Sequence, residues 1–166
     1  MEAQKKIISR RHLMATAAAT AATISGAQSE EKEKSFRIKN NRIRQSIMGW
    51  CFNPMPTLEL AKHCKEIGLV AMEGIDSKHY PAVRELGLKI SLVSGGHGFK
   101  NGPCNPKNTD TVINGLKKGI DLAADIGTKS VITFTGMTYK DMDPDKAADL
   151  CVETWKKVMP HAEKKG

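Results

Sequence analysis

Apolar residues follow two alternating patterns along residues 42–166. Short, nearly continuous apolar runs such as LVAMEGI and SVITFTG alternate with longer segments whose apolar positions recur with the helical period of 3.6. A glycine ends three of the helical segments, in CKEIGLV, VRELGLK and AADIGTK, and an apolar run begins within three residues of it. The pattern predicts the element order βαβαβαβα.

The predicted strands cover residues 43–52, 69–75, 88–96 and 130–136, and they are nearly continuous apolar runs instead of alternating ones. Such strands are typical of a parallel sheet covered by helices. The first two helices are predicted to begin near Thr57 and Pro81, and the third near either Thr109 or Asp110. The fourth is predicted to begin at Pro144, with Asp143 as its N-terminal cap. Two architectures fit, half of a (β/α)8 barrel or a small doubly wound sheet. In the half barrel, Ile47, Leu92 and Val131 or their neighbours would line the inner face.

Residues 1–27 have the organisation of an export signal. A basic segment containing Arg10 and Arg11 precedes the weakly apolar stretch LMATAAATAATISGA, which ends on small residues suited to cleavage. SRRHLM resembles a twin-arginine signal, and this resemblance implies a periplasmic protein. The stretch is too short to span a bilayer, so no membrane span is predicted in the mature protein. Residues 28–41 form a polar linker; an amphipathic N-terminal helix is the alternative to the signal.

The net charge of +8 does not indicate nucleic-acid binding, because residues 1–44 carry +6 of it and the remaining 122 residues only +2. The four cysteines, Cys51, Cys64, Cys104 and Cys151, show no C-x-x-C spacing. A thiol metal site is therefore not expected, and free, mostly buried thiols are favoured over disulfides, which export would permit.

Ligands of parallel βα folds bind at the carboxyl ends of the strands, which here gives five candidate substrate-binding residues: Trp50, Cys51, Glu73, His97 and Thr135. A carboxylate within a parallel strand is costly unless it is paired or functional, so Glu73 marks either a site or a salt bridge. His97 could polarise a carbonyl or be an exposed loop residue, and Trp50 could wall a sugar-sized pocket or pack in the core. Phosphate-loop, dinucleotide and nucleophile-elbow motifs are missing from the sequence.

Four strings carry a family resemblance: RQSIMGWCF, AKHCKEIGLVAMEGID, LVSGGHGFKNGPCNPKN and GIDLAADIGTKSVITFTG. Together they resemble the hydroxypyruvate isomerase-like branch of the xylose isomerase-like TIM barrels. The resemblance implies a (β/α)8 barrel of which residues 42–166 supply about the first four units. It also implies interconversion of hydroxypyruvate and tartronate semialdehyde, or a related sugar or keto-sugar isomerisation or epimerisation, through an enediol.

In that family the catalytic glutamates and the ligands of a divalent metal ion come from the fifth and later strands. They are expected beyond Gly166, so no catalytic or metal residue is assigned within this chain, and the chain alone is expected to be inactive. The implied partner is a small sugar or hydroxy-keto acid, and a homo-oligomer is possible. The loop GMTYKD departs from the basic loop expected after strand four, which leaves the substrate open.

Two other classes of protein compete with this resemblance. A DNA-repair barrel would carry His-Pro-Gly after strand four, where this chain has Thr135, Gly136 and Met137. That class is therefore disfavoured. A non-catalytic exported α/β binding module remains the alternative.

The paired arginines give a test of the export signal. Replacing Arg10 and Arg11 by Lys is expected to stop export, because a twin-arginine signal is read through that pair. The measurement is the periplasmic fraction of the protein after cell fractionation. Unchanged periplasmic delivery of the double variant would contradict the assignment, and Lys5→Arg serves as the control.

Overall fold

The computed structural model describes residues 36–40 and 42–166. The predicted signal and most of the predicted linker lie outside the described residues. The chain divides after Phe36, and Arg37–Gly166 form one compact unit. This unit is an α/β domain with a four-stranded parallel sheet.

Strands and helices alternate along the unit in the predicted order, with a fifth, short helix added at the end. The strands are β1 (Ser46–Met48), β2 (Ala71–Glu73), β3 (Lys89–Ser94) and β4 (Val131–Ile132), and the helices are α1 (Thr57–Ile67), α2 (Tyr80–Glu85), α3 (Thr109–Ile126), α4 (Pro144–Lys156) and α5 (Met159–Lys165). Within residues 36–40 and 42–166, no helix is long and apolar enough to cross a lipid bilayer.

The predicted helix ends are largely confirmed. Gly68 and Gly127 end α1 and α3 with φ of 95° and 72°, a left-handed conformation that glycine adopts without steric cost. Asp143 caps α4, and its carboxylate accepts hydrogen bonds from the backbone N–H groups of Asp145 and Lys146 at 3.0 and 3.2 Å. Thr57 is the first residue of α1 and makes no capping bond, because Pro56 occupies the cap position.

The strands are shorter than predicted, most clearly at β1. The predicted strand 43–52 ends at Met48, and Gly49–Phe52 form a turn of 3-10 helix. Gly49 is buried so closely against Ile75 that a side chain there would collide with it. The chain therefore turns where the hydrophobic pattern alone predicts a longer strand.

The strand order bears on the two predicted architectures. The sheet order is β1-β2-β3-β4, and every neighbouring pair is parallel. Right-handed crossovers that all step in one direction place every connecting helix on the same face of the sheet. A doubly wound sheet instead reverses direction and has helices on both faces. The order of the described strands shows no such reversal and is compatible with consecutive barrel units.

The hydrophobic core lies between the sheet and this single layer of helices. Leu60 and Cys64 from α1, Val83 from α2 and Ala123 from α3 join one buried cluster with strand residues. The strand residues of this cluster are Met72, Ile90 and Val93. Helices α3 and α4 continue the layer over β4, where Val131 and Trp155 pack against a second cluster. Helices α1 to α4 thus cover the same face.

The opposite face of the sheet has no helix on it among the described residues. Met48 and Leu92, which both pair with Glu73 in the ladder, lie on this face together with Ile132 and Phe134. Of the three residues named for this face, Leu92 itself lies on it, and the other two positions are taken by neighbours, as the expectation allowed. Ile47 and Val131 pack against the helix-side core, and their neighbours Met48 and Ile132 take the open face.

The two faces of β3 provide a matched pair of substitutions. Ile90→Ala is expected to lower the free energy of unfolding by about 2–4 kcal/mol, because Ile90 is buried against the helices. Leu92→Ala is expected to lower it by less than about half as much, because Leu92 lies on the open face and keeps part of its surface in solvent. Urea unfolding of both variants measures the difference. Equal losses would mean that both faces of the sheet are packed alike.

Candidate functional site

A cavity of about 630 Å³ lies where the loops leave the carboxyl ends of β1, β3 and β4. This volume suits a small organic ligand. Its walls are mostly apolar and aromatic, with His97 and Ser94 among the polar side chains. The main apolar and aromatic wall residues are Met48, Trp50, Leu92, Phe99, Ile132 and Phe134.

The turn after β1 sets the position of Trp50. Gly49–Phe52 turn back over the end of β2, and the Trp50 indole lies against Gly74, where any side chain would collide with it. Trp50 is 62% exposed, so it is not a core residue. One wall of the cavity is thus a large, accessible aromatic surface held by a close backbone contact.

His97 is the most constrained polar residue of the cavity. It is only 7% exposed, although its loop is rich in glycine. Its Nε2 lies 3.0 Å from the hydroxyl oxygen of Thr133, which also accepts a hydrogen bond from the Trp155 indole at 3.2 Å. The ring meets Phe134 edge to face, with centroids 6.2 Å apart. These contacts fix the imidazole relative to β4 and α4.

The second ring nitrogen of His97 is left without a partner. Nδ1 is buried and forms no hydrogen bond with any described residue. Burial lowers the pKa of His97 below its usual value and outweighs the opposing effect of the nearby Gly98 backbone, so the ring is neutral at neutral pH. A neutral imidazole carries a hydrogen on one nitrogen and a lone pair on the other, so Nδ1 can donate to or accept from a ligand. A buried polar atom of this kind is available to a ligand or to a water molecule.

Glu73 is satisfied by a hydroxyl group. The Ser91 side chain donates a 2.7 Å hydrogen bond to Oε2 of Glu73, and no Lys or Arg among the described residues forms an ion pair with it. The register between β2 and β3 shifts after Met72, so Glu73 pairs with Leu92 and the bulged Ser91 comes within reach of the carboxylate. Glu73 lies on the open face and is not part of the cavity wall.

The structure therefore brings together two of the five predicted residues. Trp50 and His97 line the same cavity. Cys51 is exposed in the turn beside Trp50, and Thr135 contributes its backbone carbonyl, which accepts from the N–H of Cys104 at 2.9 Å. Neither Cys51 nor Thr135 lines the cavity.

Several residues of the site carried weak sequence signals. Phe99 follows His97 by two positions in the long loop, and Phe134 ends the fourth apolar run. Both are aromatic residues at strand ends, where a ligand site was expected. Trp155 fits the apolar stripe of its helix, so nothing in the sequence indicated that its indole N–H reaches Thr133.

The described residues do not make a metal site by themselves. Within residues 36–40 and 42–166, no three His, Cys, Asp or Glu side chains are grouped so that they could hold a metal ion. Ser91 already binds Glu73, and His97 is enclosed by Thr133 and Phe134. A divalent ion would need ligands from outside this set.

A larger cavity of about 770 Å³ lies on the helix side of β4. Its walls are residues of the helix layer such as Leu116, Ile120 and Val158, and the charged residues lining it are Lys129 and Lys165. It belongs to the helix layer and not to the strand-end loops. The smaller cavity combines aromatic walls with an unpartnered polar atom, which is the composition of a ligand site.

The lowered pKa of His97 has a consequence for stability. The imidazole of His97 takes up its proton at a higher pH in the unfolded chain than in the folded one. Its contribution to the free energy of unfolding is therefore fully present above about pH 6.5, and it falls as the pH drops below that value. His97→Gln is expected to reduce this loss between pH 7.5 and 5.5. Urea unfolding across this range measures it, and His63→Gln, at an exposed position, is the control. An unchanged pH profile in His97→Gln would contradict the burial of a neutral imidazole.

Comparison with known proteins adds no further assignment. No protein-family model matches the chain, and no curated protein matches it. The hydroxypyruvate isomerase-like resemblance thus rests on the four sequence strings RQSIMGWCF, AKHCKEIGLVAMEGID, LVSGGHGFKNGPCNPKN and GIDLAADIGTKSVITFTG.

Proposed function

We propose that this chain forms the first four units of a (β/α)8 barrel that isomerises or epimerises a small hydroxy-keto acid or sugar. The observation that carries the proposal is the cavity with Trp50 and the unpartnered Nδ1 of His97, at the carboxyl edge of a sheet with consecutive parallel strands. Ligand sites of βα barrels lie at this edge. Hydroxypyruvate is the first substrate to test, because the sequence resembles the hydroxypyruvate isomerase-like branch.

The open face of the sheet also supports the barrel part of the proposal. Met48, Leu92, Ile132 and Phe134 form an apolar surface on the side away from the helices. In a barrel, inward side chains from opposite strands fill that space in layers. Four further strands would cover this surface and close the cavity from above. In solution, the same surface could also drive association between copies of this chain.

The described residues would bind and orient the substrate. Trp50, Phe99 and Phe134 present aromatic surfaces to its carbon skeleton and exclude water. His97 stays neutral and offers Nδ1 to a carbonyl or hydroxyl oxygen, while Thr133 holds its other nitrogen. Isomerisation through an enediol also needs a base beside the carbonyl and an acid one carbon away. None of the described residues is assigned as this base or as this acid. In the proposal, the base and the acid are glutamates of later strands.

The family resemblance also implies a divalent metal ion, which when bound would stabilise negative charge on the enediolate oxygens. Among the described residues, no three His, Cys, Asp or Glu side chains are grouped so that they could hold such an ion. In the proposal its ligands belong to the later units, together with the catalytic glutamates. The export signal would place this activity in the periplasm.

The direct test assays the protein encoded by the complete reading frame that contains these residues. It is expected to convert hydroxypyruvate to tartronate semialdehyde, or to isomerise or epimerise a related sugar. Trp50→Ala is expected to raise KM about tenfold with a smaller change in kcat, because the indole contacts the substrate before and during the reaction; tenfold corresponds to about 1.4 kcal/mol. Phe52→Ala in the same turn is the control, because Phe52 does not line the cavity.

Two results would count against the proposal in different ways. Binding of these compounds without turnover would favour an exported binding module with the same pocket. Turnover that responds equally to Trp50→Ala and Phe52→Ala would retain the enzyme but move its site away from this cavity.

The 166-residue chain by itself is expected to show no isomerase activity, because the described residues supply no acid–base pair. The measurement is hydroxypyruvate turnover by the purified chain with Mg²⁺ or Mn²⁺ added. Metal-dependent turnover by this chain would mean that the catalytic groups lie among residues 1–166 and that the site has been misplaced.

A further inference from the structure

Two of the three buried cysteines meet at the end of β4. Cys104 lies in the long loop after β3, and Cys151 lies on α4. Both belong to one small buried cluster with Ala147, against which Met142 and Trp155 pack. The two residues are far apart in the sequence, so only the fold brings them close to each other.

Both thiols point at the same short piece of backbone. The Cys151 Sγ lies 3.8 Å from the carbonyl oxygen of Thr135, and the Cys104 Sγ lies 3.4 Å from that of Met137. The Thr135 carbonyl also accepts from the backbone N–H of Cys104 at 2.9 Å. One carbonyl thus contacts both cysteine residues, which places them side by side.

Close backbone packing holds this arrangement. Gly102 lies so near Thr135 and Gly136 that a side chain at position 102 would collide with them. A side chain at Gly136 would in turn meet the Cys104 sulfur. Burial raises the pKa of the Cys151 thiol, and the neighbouring Cys104 raises it further, as expected for two thiols in close proximity.

We propose that Cys104 and Cys151 form a disulfide when the protein is in an oxidising environment. The reaction needs an oxidant that is itself a disulfide, such as oxidised glutathione or a protein dithiol oxidase. One thiolate attacks that disulfide and releases one of its sulfurs as a thiol; the second thiolate then attacks the mixed disulfide and releases the other. The two cysteines lose two protons and two electrons, and the oxidant becomes two thiols.

The bond would tie the loop that carries the candidate site to the helix layer. His97 and Phe99 precede Cys104 in that loop, and Trp155 follows Cys151 by one turn of α4. The loop that carries His97 and the helix that carries Trp155, which already share Thr133 as a hydrogen-bond partner, would then be cross-linked. Such a link limits the unfolded chain and so favours the folded state. The redox state of Cys104 and Cys151 would therefore change the stability of the loop that forms part of the cavity wall.

The test uses the full chain, unfolded in urea and refolded in a buffer of reduced and oxidised glutathione, so that burial does not limit access to the thiols. Free thiols are then alkylated, and peptide mapping by mass spectrometry identifies any link. A Cys104–Cys151 peptide is expected, with Cys51 and Cys64 alkylated. The linked form is expected to have a Tm several degrees above the reduced form.

Three cysteine-to-alanine variants make the test specific. Cys104→Ala and Cys151→Ala should each abolish the link and the rise in Tm on oxidation. Cys64→Ala, at another buried cysteine, should retain both. Alkylation of both Cys104 and Cys151 in the wild-type chain after refolding would overturn the proposal. So would a dominant link through Cys51 or Cys64. If a variant does not fold, its peptide map after refolding still reports whether its remaining cysteines pair.

Discussion

The rule that neighbouring parallel strands are joined by right-handed connections is the constraint on which this account of the fold depends. Each step from β1 to β4 moves in the same direction, so each helix comes to lie on the same face. The core then forms between the sheet and one helix layer, where Met72, Ile90 and Val93 are fully or almost fully buried. The other face keeps an apolar surface with no helix among the described residues to cover it. The one-sided core and the apolar cavity follow from the same topology.

The end of β4 organises the candidate site. Thr133 holds His97 and accepts from Trp155, Thr135 accepts from Cys104 and faces Cys151, and Met137 accepts from the Cys104 thiol. A short piece of chain therefore connects the glycine-rich loop to α4. This explains how His97 can be buried and fixed although its loop has little regular structure. The cavity depends on long-range contacts that join residues far apart in the sequence.

The sequence was sufficient for the element order, for most helix ends and for the edge of the sheet at which a cavity forms. Gly68, Gly127 and Asp143 act locally, through backbone conformation and capping, and such effects can be read from a few neighbouring residues. The length of β1 could not be predicted, because it depends on the contact between Gly49 and Ile75. The hydrophobic pattern also could not show which of Ile47 and Met48 faces the helices and which faces the open side of the sheet, since both residues are apolar.

The candidate site was predictable in part, because the position of a residue after a strand can be read from the sequence. Trp50 and His97 follow strands directly, so topology places them at one edge. The pairing of Glu73 with Ser91 depends on a register shift that no local pattern indicates. The contacts of Thr133 with His97 and Trp155 join three separate elements, and only the folded structure reveals them.

The central claim is that the apolar face and the strand-end loops form the ligand site. A two-dimensional ¹H–¹⁵N NMR titration of the ¹⁵N-labelled chain with hydroxypyruvate tests it most directly, because the method detects binding even at millimolar affinity. The account predicts saturable shifts concentrated at Trp50, Leu92, His97 and Phe134. Shifts confined to Leu116, Ile120 and Val158 on the helix side, or no saturable shifts at all, would contradict it.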